Sequence, residues 1–132
     1  MNDLREFRRA CYEAARRTRG QVTRLVPGNF DQAEIAYRHR TAAVLWTQEW
    51  DEAGRHEILG IAEAPVGYGS ITFVDEPGLL AVLGELLPGH RLYTRAELDA
   101  PIDLSAPPWV NDREARYWRP GNLGEALFNF WD

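Results

Sequence analysis

The chain has 132 residues, of which 45% are hydrophobic and 27% are charged, and its formal net charge is -5. These values predict one folded domain, because the apolar fraction is too high and the net charge too small for a disordered chain. No apolar run approaches the roughly 20 residues of a membrane span, and no secretory signal is recognisable at the amino terminus. The one cysteine, Cys11, excludes an internal disulfide. We therefore expect a cytoplasmic protein that does not contact membranes.

All fifteen basic residues are arginine, and lysine is absent. This usage is typical of a GC-rich bacterial genome, and the alternative is selection for guanidinium contacts with carboxylates or phosphates. Residues 1–24 carry seven arginines and three acids, a balance of +4, whereas the remaining residues carry eight arginines and seventeen acids, a balance of -9. A basic helix on an acidic body can dock on its own domain or present a separate surface to a partner.

The first predicted element is a basic helix that follows Asp3 as its N-cap, extends to about residue 19 and ends before Gly20. Its apolar face is thin, which predicts packing at the edge of the domain. Cys11 lies on this face, and we expect it to be a small buried hydrophobe.

The middle of the chain favours β-strands. Residues 34–50 alternate in strand fashion, residues 51–54 have the length of a hairpin loop, and residues 56–63 can return as the partner strand. Residues 70–74, which include β-branched and aromatic side chains, predict a further strand.

A leucine-rich helix is predicted over residues 79–87. The acids Asp75 and Glu76, followed by Pro77, are typical of a helix start. The broad leucine face predicts that this helix is the main one packed on the sheet.

The remaining segments are short. Thr94 and Glu97 match a capping box and predict a brief helix. Residues 101–108 are predicted to form a proline-rich loop and residues 111–117 a short helical turn. Asn122 is predicted to cap the start of a short helix at the C-terminal end of the chain.

These elements together predict a single α+β domain over residues 1–132. Its mainly antiparallel sheet of three or four strands packs against the N-terminal helix and the leucine-rich helix, with short C-terminal helices. In outline, residues 1–20 form the basic helix, residues 34–74 the sheet region and residues 75–132 the helices and loops.

The residues that could carry chemistry form no recognisable catalytic or metal-binding motif. His39, His56 and His90 have no metal-ligand spacing, and neither a nucleophile elbow nor a phosphate loop is present. We therefore expect neither a metal nor a cofactor. The sequence leaves open whether any catalysis occurs.

Carboxylates and aromatic rings in predicted loops give the main functional hypothesis. Such a surface can bind a basic partner, because carboxylates steer the encounter and aromatic side chains anchor it. We therefore expect a small acidic, non-enzymatic protein-binding module of the inhibitor or immunity-protein type. Its candidate binding residues are Asp75, Glu76, Asp99, Asp103 and Trp109.

The main alternative is a small enzyme or small-molecule-binding protein with an aromatic cleft. Its predicted lining consists of Trp46, Trp50 and Tyr68, with His39 or His56 as the titrating group. The competing interpretation of each tryptophan is ordinary core packing.

A third interpretation is contact with nucleic acid through the arginines of the first helix, which have Tyr12 among them. It ranks third because the acidic body opposes the approach of a polyanion. The sequence leaves the identity of the partner and the oligomeric state open.

Overall fold

The computed structural model describes residues 3–51, 54–67, 71–102 and 120–129. The elements in these ranges are α1 (Asp3–Arg17), β1 (Gln21–Val26), β2 (Asp31–Ala36), β3 (Thr41–Asp51), β4 (Gly54–Glu63), α2 (Pro77–Leu86), β5 (Arg91–Leu92), α3 (Arg95–Asp99) and α4 (Leu123–Leu127). The α+β class and the N-terminal helix are therefore confirmed. No helix in the described ranges is long and apolar enough to cross a membrane.

The strands form one sheet in the order β1-β2-β3-β4-β5. Neighbours from β1 to β4 are antiparallel, whereas β5 is parallel to β4. The prediction of three or four mainly antiparallel strands is therefore wrong in number, and the sheet is mixed. Two strands were missed because β1 is a largely exposed edge strand without regular alternation, and β5 has two residues.

The strand predicted at residues 70–74 is also not confirmed. Within its described part, Phe73 makes an isolated antiparallel bridge to Ala62 and does not continue into a ladder. The physical reason is competition for the free edge of β4, because β5 pairs with the same edge at Ile58 and Leu59. Neither segment has room to become a long strand.

One face of the sheet packs against both long helices. Phe7 of α1 and Leu83 of α2 are fully buried in a cluster with Val44 and Ile61, which come from the same face of the central strands. The packing partners of the sheet predicted from the sequence are thus the ones observed. Helix α1 lies mainly over β1 and β2, at the β1 side of this face, and its Phe7 reaches Trp46 of β3.

The small side chains of α1 explain this close packing. Cys11 and Ala14 are completely buried, and Ala15 is almost so. Because these side chains are small, the helix can lie close to the sheet, and its thin apolar face is buried. The predicted burial of Cys11 is confirmed, and this burial raises the pKa of its thiol well above the usual range.

The opposite face of the sheet is covered by the short helices α3 and α4. Leu98 of α3 and Phe128, which follows α4, pack on Leu45 and Ile58 of the central strands. Gly60 permits this approach, because a Cβ atom there would lie 2.7 Å from Cδ1 of Leu98. The domain therefore has helices on both faces of a central sheet.

Candidate functional site

A groove of about 270 Å3 lies at the free edge of β4, beside the segments that lead into α2 and α3. The main-chain N–H of Tyr93 donates to the carbonyl oxygen of Leu59, and the N–H of Val74 donates to that of Ile61, both at 3.0 Å. These hydrogen bonds attach two different segments to successive outward-facing positions of β4. The groove opens where they diverge.

The groove has an apolar floor and a polar rim. Its floor is formed by one fully packed residue of β4 and three partly buried neighbours, namely Ile61, Val74, Leu80 and Tyr93. Its rim is formed by Asp75, Glu76, Pro77, Thr94 and Arg95. Such a mixture can hold an apolar stem and orient a polar end group.

Two helix starts shape the rim. Pro77 occupies the first turn of α2, where its missing N–H costs no helical hydrogen bond. Thr94 and Glu97 form the capping box predicted for α3: the Thr94 hydroxyl accepts from the N–H of Glu97 at 3.3 Å, and the Glu97 carboxylate accepts from the N–H of Thr94 at 2.9 Å. The local sequence therefore fixes both ends of the rim.

Glu76 is engaged in an internal ion pair. Both oxygens of its carboxylate accept hydrogen bonds from the Arg40 guanidinium, at 2.6 and 2.8 Å. The Glu76 side chain is 13% exposed, and the guanidinium carbon of Arg40 lies 4.4 Å from the centre of the Tyr37 ring. Glu76 precedes α2, but its side chain does not cap the helix. Its carboxylate instead joins the start of α2 to the β2–β3 hairpin.

Asp75 differs from its neighbour. Its side chain is exposed at the rim, and it forms no hydrogen bond or ion pair with another residue of the described part of the chain. Asp99, in contrast, pairs with Arg95 one turn earlier in α3, at 3.4 Å. Of these three predicted binding acids, Asp75 is the one whose charge faces the groove without a described counter-charge.

Tyr93 contributes the largest side chain of the floor. Partial burial raises the pKa of its hydroxyl. The positive charge of Arg91 and a hydrogen bond with the Arg91 side chain partly offset this increase. The ring is partly buried and lines the groove. It can provide a flat apolar surface to an occupant.

The other predicted binding residues cannot be placed. Asp103 and Trp109 lie outside the described residues, as does Tyr68 of the alternative cleft. Trp50 belongs to β3, but its side chain is not among those described.

The described residues of the alternative cleft occupy three separate places. Trp46 is 6% exposed and stacks on Phe7 beneath α1, with ring centroids 5.7 Å apart. His39 is exposed in the turn between β2 and β3. His56 of β4 lies opposite Glu49 in the strand register, near the other end of β3, and its Nε2 is 3.2 Å from Nη2 of Arg91. Their arrangement gives the aromatic cleft no support.

The basic helix carries partly neutralised arginines. Glu13 accepts hydrogen bonds from Arg16 and Arg17, which lower the pKa of its carboxyl to about 2. Tyr12 is 54% exposed on the same helix. A phosphate-binding surface would have to compete with these carboxylate contacts.

Metal binding gains no candidate from the structure. Within residues 3–51, 54–67, 71–102 and 120–129, no group of three or more His, Cys, Asp or Glu side chains is placed to hold an ion.

Two of the nine described residues that line the groove, Asp75 and Glu76, are among the binding residues predicted from the sequence, and the other seven are not. Ile61, Leu80 and Arg95 come from β4, α2 and α3, and Tyr93 comes from the segment between β5 and α3. The groove exists because two segments pair with one edge of β4. The Thr94 capping box was the one local signal for its far side. Comparisons with protein-family models, with curated proteins and with solved structures gave no match.

Proposed function

We propose that the chain is a small acidic, non-enzymatic protein-binding module of the inhibitor or immunity-protein type, which binds a basic surface of another protein at the groove beside α2 and α3. The observation that carries this proposal is the exposed Asp75 carboxylate, which stands at the rim of an apolar groove without a described counter-charge. A charged end group can pair with Asp75 while apolar atoms leave water on the floor.

The charge of the whole chain supports the same partner. Beyond residue 24 the balance is -9, so a positively charged protein is attracted before contact. Such steering raises the association rate more than the final affinity, and it weakens with salt because the Debye length is about 10 Å at 0.1 M. Salt dependence is therefore an expected property of the complex.

The groove alone is too small for a stable complex. Specific interfaces commonly bury about 1,200–2,000 Å2 in total, far more than one side-chain pocket supplies. The partner must therefore also contact the surrounding surface, where α3 presents the exposed acids Glu97 and Asp99. In this arrangement the groove selects one anchor and the neighbouring acids add steering.

The test is affinity capture from a lysate of the organism of origin, with a C-terminal tag because the chain has no lysine for amine coupling. We expect a stoichiometric protein with a basic surface, captured at low salt and weakened at high salt. Asp75→Arg should abolish capture, whereas Glu6→Arg, an equal charge change on the exposed side of α1, should preserve it. Equal capture by both variants would overturn the proposed binding surface.

The small-molecule alternative gives a different result in the same experiment. If no protein is retained at either salt concentration, the protein-binding proposal fails. A ligand screen followed by chemical shifts at groove residues would then test a small-molecule site.

A further inference from the structure

Among the described residues around the groove, one negative charge is unmatched. Arg40 lies against Glu76 through two hydrogen bonds, and Arg95 pairs with Asp99. Asp75 remains as the rim carboxylate with no described partner. An occupant that complements this arrangement brings one positive charge.

The size of the groove suits a single long side chain. Its volume of about 270 Å3 lies below the roughly 300–1,000 Å3 of pockets that enclose drug-sized ligands. Its floor is apolar at Ile61, Val74 and Leu80, so the occupant needs an apolar stem behind its charge. Long basic side chains have this form, because their methylene groups bury while the cationic head stays near water.

The half-buried Tyr93 ring distinguishes between the two basic side chains. A guanidinium is planar, stacks on aromatic faces and can donate two parallel hydrogen bonds to a carboxylate, whereas an ammonium is a strongly hydrated point charge. With Tyr93 on the floor and Asp75 at the rim, the groove offers both kinds of contact. We infer that it is a receptor pocket for a single arginine side chain of the partner protein, an inference that rests on the proposed function.

Arg95 is the main opposing charge. It lines the groove and is 53% exposed, so its charge opposes an incoming guanidinium. Removing the Arg95 charge should therefore strengthen the binding of a cation in the groove and weaken the binding of an anion. This opposite response separates an arginine pocket from an anion site.

The inference can be tested with short peptides, independently of the natural partner. The probes are acetyl-Gly-Arg-Gly-amide and the same peptide with citrulline, which keeps the shape of arginine but is neutral. NMR titration of the full chain should show shifts of the Ile61, Leu80 and Thr94 amides with the arginine peptide, and binding about three- to fivefold weaker with citrulline, as for a partly exposed ion pair. The lysine peptide should also bind more weakly than the arginine peptide.

Two matched variants complete the test. Asp75→Asn, which keeps the side-chain shape, should weaken the arginine peptide about three- to fivefold, and Arg95→Gln should strengthen it about twofold. Glu6→Gln is the control for a lost acid elsewhere and should change nothing. The spectrum of each free variant verifies its fold.

Several results would overturn the arginine pocket: equal binding of the three peptides, no effect of Asp75→Asn, weaker binding in Arg95→Gln, or shifts confined to other surfaces. If these occur while Asp75-dependent capture of a protein persists, the proposed function stands and the arginine anchor is rejected. If the peptide binds as expected but no protein is captured, the pocket stands and the protein-binding proposal is rejected.

Discussion

The carboxylate of Glu76 and the guanidinium of Arg40 are joined by two hydrogen bonds of 2.6 and 2.8 Å, although 36 positions separate the residues in the chain. This pair connects the residue preceding α2 to the end of the β2–β3 hairpin. It therefore helps to hold one wall of the groove in place. Asp75, one residue earlier, takes no part in this structural contact, so its carboxylate remains available at the rim of the groove.

Breaking this pair should loosen the groove wall. We expect Glu76→Gln to lower the midpoint of urea unfolding, because Arg40 then loses the charged half of a bidentate contact. The difference from the unmodified chain should shrink in 1 M sodium chloride, where the Debye length falls to about 3 Å. Asp75→Asn is the neighbouring control and should leave the midpoint nearly unchanged. A larger effect of Asp75→Asn would contradict the roles assigned to the two acids.

Gly124 and Gly84 are two helical glycines with opposite expected responses to alanine. A Cβ atom at Gly124 would collide with the Phe73 ring, whereas one at Gly84 would lie 3.7 Å from Cδ2 of Leu92, an ordinary contact. Gly124→Ala should therefore destabilise the domain by about 1–3 kcal/mol through overpacking. Gly84→Ala should stabilise it by about 0.5–1 kcal/mol, because alanine is the better helix former. Urea unfolding of both variants measures the two signs, and a stable Gly124→Ala variant would disprove the tight contact with Phe73.

Cys11 should be chemically inert in the folded chain. It is completely buried, and burial raises the pKa of its thiol, so the reactive thiolate is scarce. We expect a thiol reagent such as dithiobis(nitrobenzoate) to react at the rate of unfolding in buffer and immediately in concentrated urea. Fast labelling without denaturant would show that α1 separates from the sheet.

Asp31 should make folding stability depend on pH. It lies opposite Trp46 in the β2–β3 register, and partial burial raises the pKa of its carboxyl, with Arg8 opposing the shift. The folded state then holds this proton more tightly than the unfolded chain does. The contribution of Asp31 to stability is therefore most favourable below the unfolded pKa of about 3.9, and it is lost as the pH rises through the raised folded value.

The matching substitution is Asp31→Asn, which removes this titration. The variant should be more stable than the unmodified chain at neutral pH, and the advantage should shrink as the pH falls. Urea unfolding at several pH values measures the difference. A constant difference across the series would mean that Asp31 titrates alike in the folded and unfolded states.

Several expectations from the sequence hold because their causes are local. The Thr94 capping box depends on residues three positions apart, and α2 begins at the acid and proline signal that predicted it, two residues earlier than expected. The helical period likewise placed Cys11 on a buried face. Such features need no information from distant parts of the chain.

The sheet and the groove lie beyond this local information. β1 was missed because it is a largely exposed edge strand without regular alternation, and β5 becomes a strand because α2 returns the chain alongside Ile58 and Leu59. The placement of Asp75 at a helix start, as a candidate binding residue, was a sequence expectation. That Asp75 lines one groove together with Tyr93 and Arg95 was not, because those residues come from a later segment.

The sequence by itself therefore determined the α+β class, the helix starts and the acidic character of the chain, all of which follow from composition and from residues a few positions apart. The tertiary structure decided which of the predicted binding acids are paired with an arginine and which one faces the groove. Glu76 is paired with Arg40, Asp99 with Arg95, and Asp75 faces the groove. The physical reason is that the state of a carboxylate depends on the charges within a few ångströms, and for Glu76 the nearest one comes from a hairpin far away in the sequence.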